Sequence, residues 1–267
     1  MENCKIWIIS ILSCLFLNVM FSCGNDDNSN NSDDISTPTV KAKNLVRINS
    51  SELIYNDQGQ LVKIKSGNDN SDPYETTITY STNGIIMSNP YAIYHLGDVR
   101  ISESISSVIT SMDDGSPIID DRATFEYDKN GYLIKEVKPH DFAEKGVDNM
   151  ETTVYEWSDG NIQKITRSYY KYKEETTFSY TAYPNTIPDI SQGFIFIGSF
   201  LGWQGYLGNR CKNLPESETV TSSSNGPKET ITYHYSYKFE DGMVTKVIVN
   251  WTLDGNPSTM VHELEWY

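Results

Sequence analysis

Apolar and polar residues alternate along most of this chain with a period of two, and Asn-Gly or Asp-Gly corners cut the alternation into short runs. The clearest run sets Ile231, Tyr233, Tyr235, Tyr237 and Phe239 against Thr232, His234, Ser236 and Lys238. Strands are predicted over 51–56, 60–65, 75–81, 99–110, 118–127, 132–138, 151–157, 162–171 and 175–182. Further strands follow over 218–223, 228–239, 243–250 and 259–267. Thr176-Thr177-Phe178-Ser179-Tyr180 puts its two rings on one face, because alternate side chains of a strand share a side. Short turns between successive strands imply an antiparallel meander, since parallel neighbours need long crossovers.

One turn recurs. Tyr55-Asn56-Asp57-Gln58-Gly59-Gln60-Leu61 has counterparts at Tyr80 to Ile85, Tyr127 to Leu133, Trp157 to Ile162 and Phe239 to Val244. Each places an aromatic residue before a glycine and an aliphatic residue just after it. Asn, Asp and Gly supply the positive φ of tight hairpins, and the flanking residues suit a half-buried pleated surface. The copies are irregularly spaced, which excludes a fixed-period solenoid or propeller. Asp113-Asp114-Gly115-Ser116-Pro117 marks another turn.

The pattern breaks over 187–214. Gly193-Phe194-Ile195-Phe196-Ile197-Gly198-Ser199-Phe200-Leu201-Gly202-Trp203 is apolar and glycine-rich without strand alternation, and it is too short and interrupted for a bilayer span. A short helical insertion near 190–209, with Asp189 or Ser191 as a candidate cap, is expected to plug the open end or concave face of the sheet. The alternative is an exposed apolar lid.

The first 22 residues carry one basic residue, Lys5, and a nearly continuous apolar run, as an export signal does. Met20-Phe21-Ser22-Cys23-Gly24 resembles a bacterial lipobox, with Cys23 as the lipidated residue. Residues 23–44 are rich in Asn, Asp and Ser and form an acidic tether with nothing to bury, able to reach roughly 70 Å at ~3.3 Å per residue. A single β domain over 45–267 follows. The net charge of −15 argues against nucleic acid and against adsorption to an anionic membrane. Only Cys211 remains in the folded part, so neither an internal disulfide nor a thiolate zinc site is available, and a buried, inert thiol is expected.

No nucleophile elbow, phosphate loop, zincin motif or dinucleotide fingerprint is present, and no cofactor is implied. A calcium loop starting at Asp26 fails because Asn31 stands where glycine is required. His234 and His262 with Glu263 or Glu265 could in principle make a two-His-one-carboxylate metal site, but a solvated sheet face is the expected reading. The loop 139–144, with His140, Asp141 and Glu144, reads as a solvated connector. Aromatic residues carry the better signal: Trp157, Tyr169, Tyr170, Tyr172, Trp203 and Trp251 are candidate stacking residues for sugar rings.

The lipobox, the hairpins of the type Tyr127-Asp128-Lys129-Asn130-Gly131-Tyr132-Leu133-Ile134-Lys135 and the segment Gly205-Tyr206-Leu207-Gly208-Asn209-Arg210-Cys211-Lys212-Asn213-Leu214-Pro215 together resemble a Bacteroidota lipoprotein family of unknown function with a porin-like fold. The resemblance covers most of 45–267 and implies a highly curved antiparallel sheet, partly closed like a barrel, with no known catalytic residues. The polar face at Thr230, Thr232, His234, Ser236 and Lys238 favours a water-facing sheet over a transmembrane barrel. The expected protein is an outer-membrane lipoprotein, surface-exposed or periplasmic, that binds a glycan or an envelope protein without catalysis. A glycan- or envelope-directed hydrolase with a carboxylate pair is the alternative.

Overall fold

The computed structural model describes residues 44–67, 74–88, 91–97, 100–108, 119–139, 150–191, 197–223 and 227–267. The lipobox with Cys23, the tether up to residue 43, the turn at 113–117 and residues 140–144 of the connector lie outside them.

Sixteen strands follow one another as a meander: β1 (Leu45–Ile48), β2 (Ser51–Tyr55), β3 (Leu61–Ser66), β4 (Tyr74–Ser81), β5 (Gly84–Ser88), β6 (Tyr91–Leu96), β7 (Ile101–Val108) and β8 (Ile119–Tyr127) make the first half. The second half is β9 (Leu133–Pro139), β10 (Met150–Ser158), β11 (Asn161–Tyr169), β12 (Tyr172–Pro184), β13 (Asn213–Ser223), β14 (Glu229–Glu240), β15 (Met243–Leu253) and β16 (Asn256–Trp266). Each strand pairs with its neighbours in sequence, and β1 pairs antiparallel with β16, which closes the sheet into a barrel. Beyond the strands, Asn44 and Tyr267 exchange backbone hydrogen bonds of 2.8 Å. The sheet expected to be partly barrel-like is therefore fully closed. Among the described residues the helix is α1 (Ile197–Trp203), within the insertion between β12 and β13.

The period of two sorts every strand into an inner and an outer face. In β10, Glu151, Thr153 and Tyr155 are buried, while Met150, Val154 and Glu156 are exposed. The inner face carries the core, from Leu45 and Leu53 through Ile165 to Val249 and Leu264. The outer face is laced with cross-strand ion pairs: Lys63 with Glu75 at 2.6 Å, Lys135 with Glu126 at 2.7 Å, and Lys246 with Glu263 at 2.7 Å. Hydroxyl pairs such as Thr219 with Thr232 lie between them. Each Lys or Arg on the lipid face of a membrane barrel costs ~2–4 kcal/mol near the bilayer midplane, so this wall is built for water.

Candidate binding site

The turns after the even-numbered strands from β2 to β14 all lie at one end of the barrel, together with the β1–β16 seam, because consecutive antiparallel strands alternate in direction. That end is sealed. At the first or second position of every odd-numbered strand stands an aliphatic side chain no more than 1% exposed: Leu45, Leu61, Ile85, Ile101, Leu133, Ile162, Leu214 and Val244. In seven of these eight cases an aromatic residue near the end of the following strand donates to the carbonyl beside it. Tyr55 donates to Leu45, Tyr80 to Leu61, Tyr127 to Ile101 and Tyr180 to Ile162 through their hydroxyls, at 2.7–2.8 Å. Trp157 and Trp266 do the same through Nε1 to Leu133 and Val244, and Tyr237 donates to Pro215, each at 2.7 Å. The aromatic-turn-glycine-aliphatic motif thus builds a collar. In the last copy the ring that fills the place is Tyr237 instead of Phe239, which is 38% exposed.

The insertion docks inside this collar. Ile101 donates its backbone N–H to the Tyr206 carbonyl at 2.8 Å, while Asn209 and Lys212 donate theirs to Gly131 and Gly160 at 2.9 Å. Leu201 and Leu207 are fully buried against the aliphatic ring, with Phe200 beside them. Gly208 has φ +86°, and a Cβ there would sit 2.3 Å from the Gly131 carbonyl oxygen, so only glycine permits this approach. The insertion is a plug, as one of the two expected readings had it. Neither Asp189 nor Ser191 caps α1, which begins at Ile197; Ser191 instead donates to the Asp189 carboxylate at 3.1 Å. Cys211 lies in the plug, 4% exposed, and burial raises its thiol pKa to about 12, so it is the inert small side chain expected.

Further along the lumen the inner face turns polar. Glu151, 2% exposed, accepts two hydrogen bonds from Arg167, at 2.7 Å from Nε and 2.9 Å from Nη2, and Lys138 stands 3.4 Å away. Tyr172 donates to Glu174 at 2.7 Å, and Tyr155 to Glu136 at 3.3 Å. Glu136 is 2% exposed and its Oε1 has no partner. Burial raises the Glu136 pKa, opposed by Lys138 and reinforced by Glu151. Burial also raises Glu174, opposed by its bond from Tyr172. For Arg167, burial works against the charge, but Glu151 prevails and its pKa is raised.

Two cavities open off the inner face. One, of about 20 Å³, lies between Phe178, Tyr180, Asp189, Cys211, Glu218 and Tyr235 and has room for one water molecule. Glu218 there accepts a hydrogen bond of 2.6 Å from Tyr235, and burial together with Glu218 holds Asp189 well above the usual carboxylate range. The other cavity, of about 400 Å³, lies between β1 to β4 and β16 and is bounded on the plug side by Phe200. Its polar rim contains Asn49, Ser51, Ser66 and His262.

The six aromatic candidates separate into two groups. Trp157, 4.6 Å from the Tyr132 ring, and Trp203, edge-on to Trp266 at 6.5 Å, are half-buried members of the sealed end. Tyr169 and Tyr172 stack at 4.7 Å beside the Arg167–Glu151 pair, at the opposite end of the barrel. Tyr170, 61% exposed with φ +46°, forms the turn between them. Trp251 packs against Tyr233 at 5.7 Å on the inner face, close to the β15–β16 turn. His262 points inward and is buried, whereas His234 lies exposed on the outer face, so they cannot share a metal. Sequence reasoning missed the buried ionic cluster and the Asn49–His262 pair. Parity held the signal, since Glu151 shares a face with Tyr155, and Arg167 shares one with Ile165.

A closed antiparallel barrel with a collar, a plug from its own longest turn and ion pairs along the described outer wall defines a porin-like fold. Solved structures share the architecture. A porin-like protein from Bacteroides uniformis ATCC 8492 aligns with a TM-score of 0.57 and 16% identity, over 81% of this chain and 89% of that one. A porin-like protein from Bacteroides vulgatus ATCC 8482 aligns with a TM-score of 0.50 and 14% identity, over 81% and 92%. At these identities the likeness is one of fold. The sequence matches no family model and no curated protein.

Proposed function

We propose that this protein is a non-catalytic binding module of the bacterial cell envelope. Lipid on Cys23 holds it to the outer membrane, and the end of the lumen away from the plug receives a glycan. The observation that carries this reading is the asymmetry of the barrel. One end is sealed by the chain itself, the outer wall is charged, and the inner face retains a cavity of about 400 Å³ toward the other end. A conducting pore is disfavoured by the plug and by the ion-paired outer wall. Carbohydrate is favoured over a protein partner by the half-buried rings Tyr169, Tyr172 and Trp251, which offer faces for sugar C–H groups. The larger cavity has no Asp or Glu among its described lining residues, and the one with two carboxylates admits no sugar ring, which disfavours the hydrolase alternative.

The test pairs glycan-array binding by the intact protein with protease shaving of whole cells and radiolabelled palmitate incorporation. Binding to a defined set of glycans, release of the domain by protease, and loss of label in Cys23→Ser are the expected results. A blank array alongside capture of one specific envelope protein would replace the glycan with that protein. Label retained in Cys23→Ser would remove the anchor.

A further inference from the structure

The larger cavity assigns a ligand class, and this rests on the binding role proposed above. We infer that the cavity between β1–β4 and β16 takes the end of a neutral glycan chain.

The first ground is charge. Among the described residues that line the cavity none is Asp, Glu, Lys or Arg, although the outer wall around it is dense with them. A charged ligand entering here would lose its hydration without gaining a counter-charge, which is costly in a half-enclosed site. Among the lining residues, His262 presents a ring acceptor to Asn49. The Glu263 backbone N–H can only donate, and it donates to Asn49 Oδ1 at 2.9 Å. That fixes the Asn49 amide so that Nδ2 faces His262 Nδ1, at 3.1 Å. Nδ2 is a donor, so His262 Nδ1 accepts and the imidazole carries its proton on Nε2.

The second ground is the division of the walls. Ile48, Ile64 and Phe200 are buried apolar surface, and Met260 adds a deformable one. Beside Ile48 and Ile64 on the same sheet wall, the Ser51 and Ser66 hydroxyls lie 2.7 Å apart and either can donate to the other. A ligand hydroxyl can insert into such a pair as donor and acceptor at once. An apolar face beside freely rotating hydroxyls, without charge, matches a pyranose ring, which carries C–H groups on one face and hydroxyls round its edge. The cavity volume falls within the ~300–1,000 Å³ typical of small-molecule sites.

The experiment titrates the intact protein with maltotriose, lactose and chitobiose as neutral probes and with digalacturonate as the acidic one. Saturation-transfer NMR and calorimetry report binding. At least one neutral probe is expected to bind, at least tenfold more tightly than digalacturonate. Ser66→Leu, which fills the cavity, should weaken it at least tenfold, with thermal unfolding recorded alongside. Met260→Trp fills the cavity from another strand and serves should Ser66→Leu fail to fold. Digalacturonate binding as well as the neutral probes overturns the inference. So does neutral-probe binding that survives either filling variant but is lost in Tyr172→Ala or Trp251→Ala; the glycan-binding role then stands at another site. No binding by any probe to the native protein sinks the inference and, if the glycan array is also blank, the glycan-binding role with it.

Discussion

On β11, Lys164 and Arg167 are three residues apart and each is paired with a glutamate, yet they live in different media. Lys164 is on the outer face, 2.7 Å from Glu175, both about one-third exposed. Arg167 is on the inner face, paired in two places with Glu151, at 8% and 2% exposure. Outside, water and salt screen the pair and its worth is small. Inside, neither partner can fall back on water, so the pair is strongly required once both charges are in place. The same alternation that makes a barrel therefore assigns the same residue types very different stakes.

The inner pair breaks most expensively. Arg167→Met removes both guanidinium bonds to Glu151 and should cost about 3–5 kcal/mol in denaturant unfolding. The double variant Glu151→Gln with Arg167→Met should recover much of that loss, since no buried charge is left stranded. A single-variant cost below about 1 kcal/mol, the surface value, would erase the contrast.

The collar comes next. Leu133→Ala opens a cavity in the aliphatic ring beneath the plug and should cost on the order of 3 kcal/mol by the same measurement. Tyr127→Phe, which deletes one collar hydrogen bond and keeps its ring, should cost only about 1 kcal/mol.

The two faces should also respond to pH with opposite sign. Burial raises the folded-state pKa of Glu136 above its ordinary 4.5, so the folded protein keeps a proton that the unfolded chain has released. Its contribution is fully favourable below 4.5 and is lost as pH rises toward the raised folded value, at no more than about 1.4 kcal/mol per pH unit. Glu136→Gln should flatten that slope in unfolding curves taken across pH. Glu175 works the other way. Hydrogen bonds from Lys164 and Lys173 hold it down to about 2, so its small contribution is present above 4.5 and lost as pH falls toward 2. Smallest of all, Lys63→Ala on the outer wall should change stability by less than about 1 kcal/mol, and less still in high salt. A larger loss would mean that the outer pairs work as a network.

Much of this architecture is legible in the residues. Alternation, corner glycines and ring-bearing positions define antiparallel strands, because side-chain period and turn chemistry are local properties. The apolar, glycine-broken run between β12 and β13 announces an element that is not a strand. The strands β1, β5 and β6 escape notice, although β2 and β3, equally short, do not.

What local pattern cannot contain is closure. Whether β1 meets β16, whether Glu151 on β10 finds Arg167, and whether Asn49 reaches His262 across more than two hundred positions of chain all depend on how the meander bends back on itself. Those contacts form only once strand count, twist and plug volume are satisfied together, and the cavity beside Phe200 is what the plug leaves unfilled.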